Sequence, residues 1–428
     1  MTDTSLKHDT TVATLPNGVR VVAMRLPHLD SVSASVFVRA GSGHESARLN
    51  GISHLVEHMA FKGTATRTCQ QINLDAEQLG AEVNAHTDRD HTAFHMRGLA
   101  RDAVAFVRML GDIVRNSTFP DDELANERRV ILQEMAEEED DGVEIANKLF
   151  DTLCFGTHPI AQPIVGTRRS IERITRDDLL AFVERLYTGS NVVLGVAGNI
   201  DPAAVVRAAE AAFGAIPGGA PNRIEPTQYV GGFASRRLPG STQTHIVLGF
   251  PVPSLAGPYA ASVVAAALFG EGMSSPLMDE IRERRGLAYY TGCTADLTAA
   301  SGQFVIDAST APEHAVPFLT AVARLLADHA ASIAPVALQR ARNQLAVRSL
   351  DLLERPARGI EGAAQDLFVH GRLRSRAEWL AEVDAVTPDA VREVFATMLS
   401  TKAAVAATGK VPRAMNEGVL DLFTPNAR

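Results

Sequence analysis

The sequence has few cysteines, no long apolar run and no cluster of basic residues. Its three cysteines, Cys69, Cys154 and Cys293, show no paired spacing, so neither a disulfide framework nor a cysteine-based structural zinc cluster is expected. They are typical of thiols in a reducing compartment. No run of about 18 apolar residues occurs, so no transmembrane helix is predicted. A net charge of −9 without a lysine or arginine cluster argues against nucleic acid and anionic membranes as partners.

The N-terminal stretch, residues 1–9, lacks the apolar segment of a signal peptide. We therefore expect a cytoplasmic protein, although a periplasmic protein whose signal had been removed would begin in the same way. Of the 428 residues, 46% are hydrophobic, which is enough for a sizeable core. The length predicts two or three domains.

One stretch carries the clearest indication of chemistry. It reads Gly51-Ile-Ser-His-Leu-Val-Glu-His-Met-Ala-Phe-Lys-Gly-Thr64, and its apolar residues predict a buried helix. His54 and His58 are four residues apart and share one helix face, while Glu57 lies close enough to serve a metal-bound water without being a ligand. A buried helix with three ionisable groups on one side needs a reason. The arrangement is typical of a zinc hydrolase, and the alternative is two core histidines that lie near a carboxylate by chance.

A third zinc ligand is expected far from the first two in the sequence. The candidate is Glu134, in a helix predicted from residue 121 to about residue 140, and Glu127 lies two helical turns before it, so both carboxylates can point the same way. Two histidines and one carboxylate leave a fourth zinc position open, which distinguishes a catalytic from a structural site. Glu127 would then orient a ligand. The alternative for each acid is a solvated surface charge, as we expect for some of residues 137–141.

With these residues in view, the sequence resembles a known family. The inverted motif in residues 54–58, the Phe-Lys-Gly-Thr of residues 61–64 and a glutamate 76 positions after the second histidine look like the pitrilysin or insulinase family of zinc peptidases. The layout is similar to that of short bacterial members and of mitochondrial processing peptidase subunits. The resemblance implies that three residues bind zinc, namely His54, His58 and Glu134. It also implies that Glu57 is the general base and that Glu127 is a supporting acid.

The resemblance also implies a strand that binds substrate. Residues 80–95 are typical of a hairpin, and in the family the matching strand is an exposed sheet edge to which substrate adds as a further strand. Asn84, Ala85, His86 and Thr87 match that strand. An edge strand offers backbone hydrogen bonds to any extended peptide, whereas the alternative is a plain surface hairpin.

The second half of the chain lacks the histidine motif but resembles the family in another signature. Residues 280–290 contain an arginine and a tyrosine seven positions apart, and by resemblance Arg282 and Tyr289 bind substrate beside the zinc. A guanidinium and a phenol can hold a peptide carbonyl and the oxyanion that forms from it. Arg284 and Arg285 have no such role in the family, and we interpret them as a charged helix end.

Two segments of the chain match each other and indicate an internal duplication. In each, a threonine cap, Thr175 or Thr387, opens a helix that leads to a strand ending in glycine and a β-branched residue. Residues 216–227 between them are rich in proline and glycine and are typical of a linker.

Together with the resemblance, the duplication predicts an α+β protein of two related domains. We expect the first to span residues 1–222 and the second residues 223–428. Each is expected to be a mainly antiparallel sheet with helices packed on one face.

We therefore expect a metalloendopeptidase with Zn²⁺ as cofactor that cleaves extended or unfolded peptides, Glu57 passing a proton from water to the leaving amine. One alternative is a catalytically silent scaffold or core subunit of a heterodimeric complex. Another is a zinc hydrolase for a small molecule. In family members built from two half-size chains, the zinc site and the arginine–tyrosine pair come from different chains. Because this chain has both, we expect a homodimer in which Arg282 and Tyr289 complete the opposite subunit's site, or else a heterodimer with a related subunit.

Overall fold

The computed structural model describes residues 9–416 and 418–423. They form two compact units. Unit 1 comprises residues 9–135, 163–224 and 350–373, and unit 2 comprises residues 136–162, 225–349 and the described residues from 374 onward. Most of the N-terminal stretch on which the expected compartment rests lies outside the described residues.

The regular elements divide the chain into strands and helices in mixed order. The strands are β1 Asp9–Thr14, β2 Arg20–Arg25, β3 Ser31–Val38, β4 Glu82–Thr87, β5 Thr92–Leu99, β6 Val192–Gly198, β7 Gly232–Arg237, β8 Thr244–Pro251, β9 Tyr290–Leu297, β10 Gly302–Thr310 and β11 Ala404–Gly409. The helices are α1 Ile52–Ala60, α2 Cys69–Gln78, α3 Ala103–Asn116, α4 Asp121–Asp140, α5 Gly142–Phe155, α6 Arg168–Ile171, α7 Arg176–Leu186, α8 Pro202–Phe213, α9 Ala260–Gly270, α10 Ala315–Ala331, α11 Pro335–Arg348, α12 Asp351–Glu354, α13 Pro356–His370, α14 Arg376–Ala385 and α15 Pro388–Ser400. A π-helical segment, Met278–Arg284, precedes β9.

Five strands of each sheet follow the same order, which agrees with the predicted duplication, and β1 has no counterpart among the described strands of unit 2. Unit 1 has the order β1-β2-β6-β3-β5-β4, and unit 2 has β7-β11-β8-β10-β9. All neighbours are antiparallel except one pair in each sheet, β2 with β6 and β7 with β11. The helices before β6 and β11 begin at Thr175 and Thr387, whose side chains accept hydrogen bonds from the first helical turn, as their sequences predict. The mainly antiparallel α+β fold is therefore confirmed.

The two units do not coincide with the predicted domains, which divide at residue 222, because one segment of each half belongs to the other unit. The chain passes into unit 2 at residue 224, within the predicted linker, but α5 from the first half belongs to unit 2 and α13 from the second half belongs to unit 1. Helix α13 packs on β2, β3 and β6, and α5 packs on β7, β8 and β11. An amphipathic pattern shows that a helix is half-buried but does not specify which sheet it covers.

We call α5 and α13 the exchanged helices. Each covers the sheet face that the other helices of its unit leave open. In unit 1, Val21, Val36 and Leu194 face the larger core with α1, α3 and α8, whereas Phe37 and Val193 face α13. Close approach of α13 requires a glycine in β6, because a Cβ at Gly195 would stand 2.7 Å from Ile360 Cβ. Most helices thus lie on one face, as predicted, and one further helix packs on the other.

No single helix among the described residues is long and apolar enough to cross a membrane. The segments Pro312–Ala331 and Pro335–Glu354 meet the length and composition of a span only together, and they are bent by 103°.

Candidate metal centre

Helix α1 carries the histidine motif and is buried, as its sequence predicts. It begins after Gly51, whose φ of 90° is readily adopted only by glycine. A side chain at Gly51 would also collide with Gly166, since its Cβ would stand 2.7 Å from the Gly166 Cα. Every residue of α1 is buried except His54 and His58, which are half-buried. The two imidazoles are therefore the part of this helix that solvent reaches.

A buried carboxylate that we did not identify from the sequence caps the N-terminus of α1. Glu45 Oε2 accepts hydrogen bonds from the Gly51 N–H (2.7 Å) and the Asn50 side chain (3.1 Å), and Oε1 accepts one from the Ser53 N–H (2.8 Å). These contacts satisfy N–H groups that have no partner inside the helix. Burial raises the pKa of Glu45 to about 7, although the hydrogen bonds oppose that rise. The only sequence signal was an acid shortly before a buried helix.

The three predicted metal ligands converge. The Nε2 atoms of His54 and His58 are 3.2 Å apart, and oxygens of Glu134, on α4, lie 3.9 Å and 3.8 Å from them. Two nitrogens that bind one tetrahedral zinc at about 2.0–2.1 Å are about 3.3 Å apart. The donor set and the spacing of the two imidazole nitrogens therefore fit Zn²⁺.

The charge state of His54 also suits a metal. Burial, and then the neighbouring His58, lower the pKa of His54 to about 4, so its ring is neutral near pH 7. A neutral imidazole has a nitrogen lone pair to give to a metal ion. Within the described residues, the buried His54 Nδ1 has no hydrogen-bond partner.

Glu127 lies where the sequence predicts a supporting acid. Its Oε2 is 3.0 Å from His58 Nδ1, and its Oε1 is 2.7 Å from Lys62 Nζ. Burial opposes ionisation of Glu127, but the hydrogen bonds from Lys62 and His58 outweigh it and lower the pKa. An anionic partner on Nδ1 keeps the proton there and leaves Nε2 of His58 for a metal. We did not predict Lys62, although it follows His58 by four residues.

Glu57 is held by the strand that follows the site. It is 9% exposed, and its Oε2 accepts a hydrogen bond of 2.6 Å from Thr87 Oγ1 at the end of β4. Burial raises the pKa of Glu57, and the bond from Thr87 opposes this rise. This contact joins the histidine helix to β4.

The predicted hairpin is confirmed, and β4 is the last strand on its side of the sheet among the described strands. Ala85 packs against the larger core and Thr87 points towards α1. Asn84 is exposed and accepts a hydrogen bond from the Ala85 N–H (2.8 Å). His86 alternates with these core-facing residues and points away from α1. The four predicted substrate residues therefore lie along a sheet edge.

Arg282 and Tyr289 belong to unit 2. The guanidinium carbon of Arg282 is 5.9 Å from the centre of the Tyr289 ring, and Tyr289 is 84% exposed. An exposed aromatic ring beside a guanidinium is a surface suited to a ligand. Arg284 instead pairs with Asp279 (2.9 Å), and Arg285 similarly contacts an acid of the same segment, in keeping with a charged helix end.

The fold and the site define a two-unit α+β protein with a donor set of the zinc-hydrolase kind. Residues 20–168 match the family described as Insulinase (Peptidase family M16), and residues 173–345 match Peptidase M16 inactive domain. An uncharacterized zinc protease of Rickettsia felis is 36% identical over 311 residues, 72% of this chain and 74% of that protein. Another from Mycobacterium leprae is 33% identical over 404 residues, 92% and 91% of the two chains. The chain belongs to the insulinase family of peptidases, family M16.

Two solved structures share the fold. A peptidase M16 inactive domain protein from Pseudomonas fluorescens has a TM-score of 0.84 at 23% identity, and the match covers 94% of this chain and 99% of that one. A protease from Helicobacter pylori has a TM-score of 0.84 at 20% identity, with the same coverage.

Proposed function

We propose that the protein is a zinc-dependent endopeptidase that hydrolyses extended or unfolded peptides. The observation that carries this proposal is the convergence of His54, His58 and Glu134 beside Glu57, which is itself hydrogen-bonded to the edge strand β4. Two M16 relatives are named as uncharacterized zinc proteases, and these names support the same chemistry. The three cysteines without paired spacing suit a reducing compartment, and we propose a cytoplasmic location.

His54, His58 and Glu134 would hold the zinc, with Glu127 fixing the His58 ring. Bound Zn²⁺ would polarise the scissile carbonyl and lower the pKa of the attacking water. Glu57 accepts the proton of that water and delivers it to the leaving amine nitrogen. Thr87 orients the Glu57 carboxylate and, by donating to it, favours its ionised form.

The position of β4 selects the substrate. An extended peptide that adds to this edge as another strand is held by main-chain hydrogen bonds, which require little of its side chains. The strand Asn84–Thr87 would align the peptide, and Thr87 would bring it to Glu57. A folded protein has no free extended segment to offer, so we expect unfolded peptides to be cleaved and folded proteins to be spared.

A metal analysis combined with a digest tests this proposal. The purified protein is assayed for zinc and incubated with one protein in two forms, folded and fully unfolded, and new termini are read by mass spectrometry. We expect about one tightly held catalytic zinc per chain and cleavage of the unfolded form alone, abolished by a chelator and restored by zinc. A chain that holds zinc and cleaves no peptide would be the silent scaffold.

Arg282 and Tyr289 are proposed to stabilise the oxyanion that forms at the scissile carbonyl. We further propose a homodimer in which each subunit's pair completes the zinc site of the other, giving two equivalent sites around a two-fold axis. A related second subunit in a heterodimer is the alternative partner.

Complementation tests the assembly. Inactive Glu57→Gln and Tyr289→Phe proteins are mixed and allowed to exchange subunits. Sites formed between chains would place both lesions in one site of the mixed dimer and leave the other intact, so about half the wild-type activity would return per mixed dimer. No recovery after proven exchange, or full activity of a monomer, would exclude this assembly.

A further inference from the structure

We propose that His86 and His91 form a second metal site, for a divalent ion of the late first transition series such as Zn²⁺. The two residues lie at the ends of the β4–β5 turn, on the sheet face opposite α1. Their Nε2 atoms face each other at 3.3 Å, nearly the separation of the His54 and His58 Nε2 atoms. This is about the distance between two nitrogens bound to one tetrahedral zinc.

The other nitrogen of each ring is held by a partner. His91 Nδ1 is 3.0 Å from Asp90 Oδ1, and His86 Nδ1 is 2.9 Å from His95 Nε2, while His95 Nδ1 is 2.8 Å from Ser35 Oγ. Histidines that bind metals are oriented in this way by hydrogen bonds to the nitrogen remote from the metal. The pattern repeats that of His58, whose remote nitrogen contacts a carboxylate.

These hydrogen bonds decide where the lone pairs are. Because Asp90 can only accept from His91 Nδ1, the proton of that neutral ring is on Nδ1 and the lone pair of Nε2 points at His86. If His86 donates to His95, its own Nε2 lone pair points back. Two facing lone pairs at 3.3 Å repel each other unless a cation lies between them, whereas a proton on His86 Nε2 would make the contact an ordinary hydrogen bond. The contact therefore holds either a metal ion or a proton, and we assign the metal because partners hold the remote nitrogen of both rings, as Glu127 does at His58.

Carboxylates surround the pair. Oxygens of Asp88 and Asp90 and a ring nitrogen of His91 all lie within 4.8 Å of one another. Burial lowers the pKa of both histidines, while Asp88 and Glu361 of α13 act to raise it, and for His91 the neighbouring Asp90 outweighs burial. That group contains no atom of His86, so the third ligand of the proposed site requires the exposed Asp88 side chain to turn towards the pair. With Asp88 the site has the two-histidine, one-carboxylate set that late transition metals accept.

The scaffold of the site is rigid. The turn is closed by a bond from the Asp88 N–H to His91 O (2.8 Å), and the Ser42 N–H (3.0 Å) and Gly43 N–H (2.7 Å) donate to the carbonyls of Asp88 and Arg89. A side chain at Gly41 would collide with this turn, since its Cβ would stand 2.3 Å from Asp88 O. A metal site requires ligands held in place by such surroundings.

Metal binding by paired variants tests the inference, and the readout is stoichiometry, so the test does not depend on peptidase activity. Metal-free full-length proteins are dialysed against Zn²⁺, and bound metal is measured by mass spectrometry. We expect about two ions per chain in the wild type, about one in either His58→Ala or His91→Gln, and none in the double variant. His28→Gln, which changes an exposed histidine outside both groups, should keep about two.

Two further variants keep the inference falsifiable if His91→Gln fails to fold. Asp88→Asn, at an exposed position, should lower the affinity for the second ion alone. His95→Gln, which removes a positioning residue, should lower that affinity roughly 10- to 100-fold, while about two ions still bind at saturating Zn²⁺. Co²⁺ in the second site should give the visible absorption of a tetrahedral ion, lost in His91→Gln. A wild type whose only bound ion disappears in His58→Ala, or a second ion that none of these variants affects, would overturn the proposal in favour of the shared proton.

Discussion

Helices α1 and α9 occupy the same position in the two units. Helix α1 follows β3, which is antiparallel to β6, and α9 follows β8, which is antiparallel to β11, the counterpart of β6 in the second sheet. Helix α1 carries His54, Glu57 and His58, whereas α9 contains no ionisable residue, and Ser262 is its one buried polar side chain. The backbone is therefore shared and the chemistry is not. The difference indicates that the candidate metal ligands are a few side chains placed on a fold that also forms without them.

The surroundings of the two helices differ as much as the helices do. The N-terminus of α1 is capped by Glu45, while Thr87 holds Glu57 and Glu127 holds His58. Helix α9 has no side-chain cap. Burying polar groups is costly unless each has a partner, so a helix with buried ionisable groups needs supporting residues that its apolar counterpart does without.

The largest effect is expected from Glu57→Gln, which removes one ionisable group from α1 and so brings it closer to α9, which has none. The amide keeps the shape of the side chain but cannot accept the proton of water, so turnover should fall by roughly 10²- to 10⁴-fold while zinc is retained. Peptide cleavage and metal content are measured on the same sample. Glu139→Gln, at an exposed position of α4, is the matched control, and equal rates for the two variants would remove Glu57 from the mechanism.

The next effect concerns the metal. Glu134→Gln removes one of three proposed ligands, and we expect zinc affinity to fall by more than the 10- to 100-fold loss typical of an outer hydrogen-bond partner. Glu127→Gln, which changes such a partner, should lose affinity within that range. Competition with a chelator measures both. Zinc binding by Glu134→Gln as tight as wild type would place the third ligand elsewhere.

A smaller effect is expected from Glu45, and it depends on pH. Its pKa in the folded protein is about 7, above the ordinary 4.5, so between these values the folded state binds a proton that the unfolded state has released. Stability therefore falls as pH rises from 4.5 to 7 and is level on either side. Glu45→Gln should abolish this slope. Urea unfolding of both proteins across this range measures the difference, and parallel curves would contradict the prediction.

The smallest effect is expected in α9. Ser262 Oγ is buried without a hydrogen-bond partner in the described part of the chain, so Ser262→Ala removes an unsatisfied group and should change the free energy of unfolding by less than about 1 kcal/mol, or raise it. Zinc content should not change. A marked loss of stability or metal would show that α9 has a role that its composition conceals.

Local patterns made much of this molecule predictable. The spacing of His54 and His58 within an apolar run predicted α1, and the two helical turns between Glu127 and Glu134 predicted that both carboxylates point the same way. The duplicated strands were visible because Gly198 and Gly409 end similar apolar runs. In each case the signal lies within one element or in a repeat of it.

Other features depend on contacts that sequence spacing does not encode. The role of Glu45 follows from a loop that returns its carboxylate to the start of α1. His86 and His95 meet because β4 and β5 pair with Asn84 opposite His95, a register fixed by the whole hairpin. The exchange of α5 and α13 is likewise invisible, since either sheet offers an apolar face to an amphipathic helix.

The exchange of these helices has a consequence for biosynthesis. When the ribosome has made residue 224, the face of the first sheet formed by Val22, Phe37 and Val193 has no cover, because Ile360 and its neighbours on α13 do not yet exist. An exposed apolar face of this kind is an aggregation hazard for a nascent chain. The first unit is therefore finished only after most of the second has been translated. Fragments cut at the linker would each lack a helix and should gain stability when they are combined.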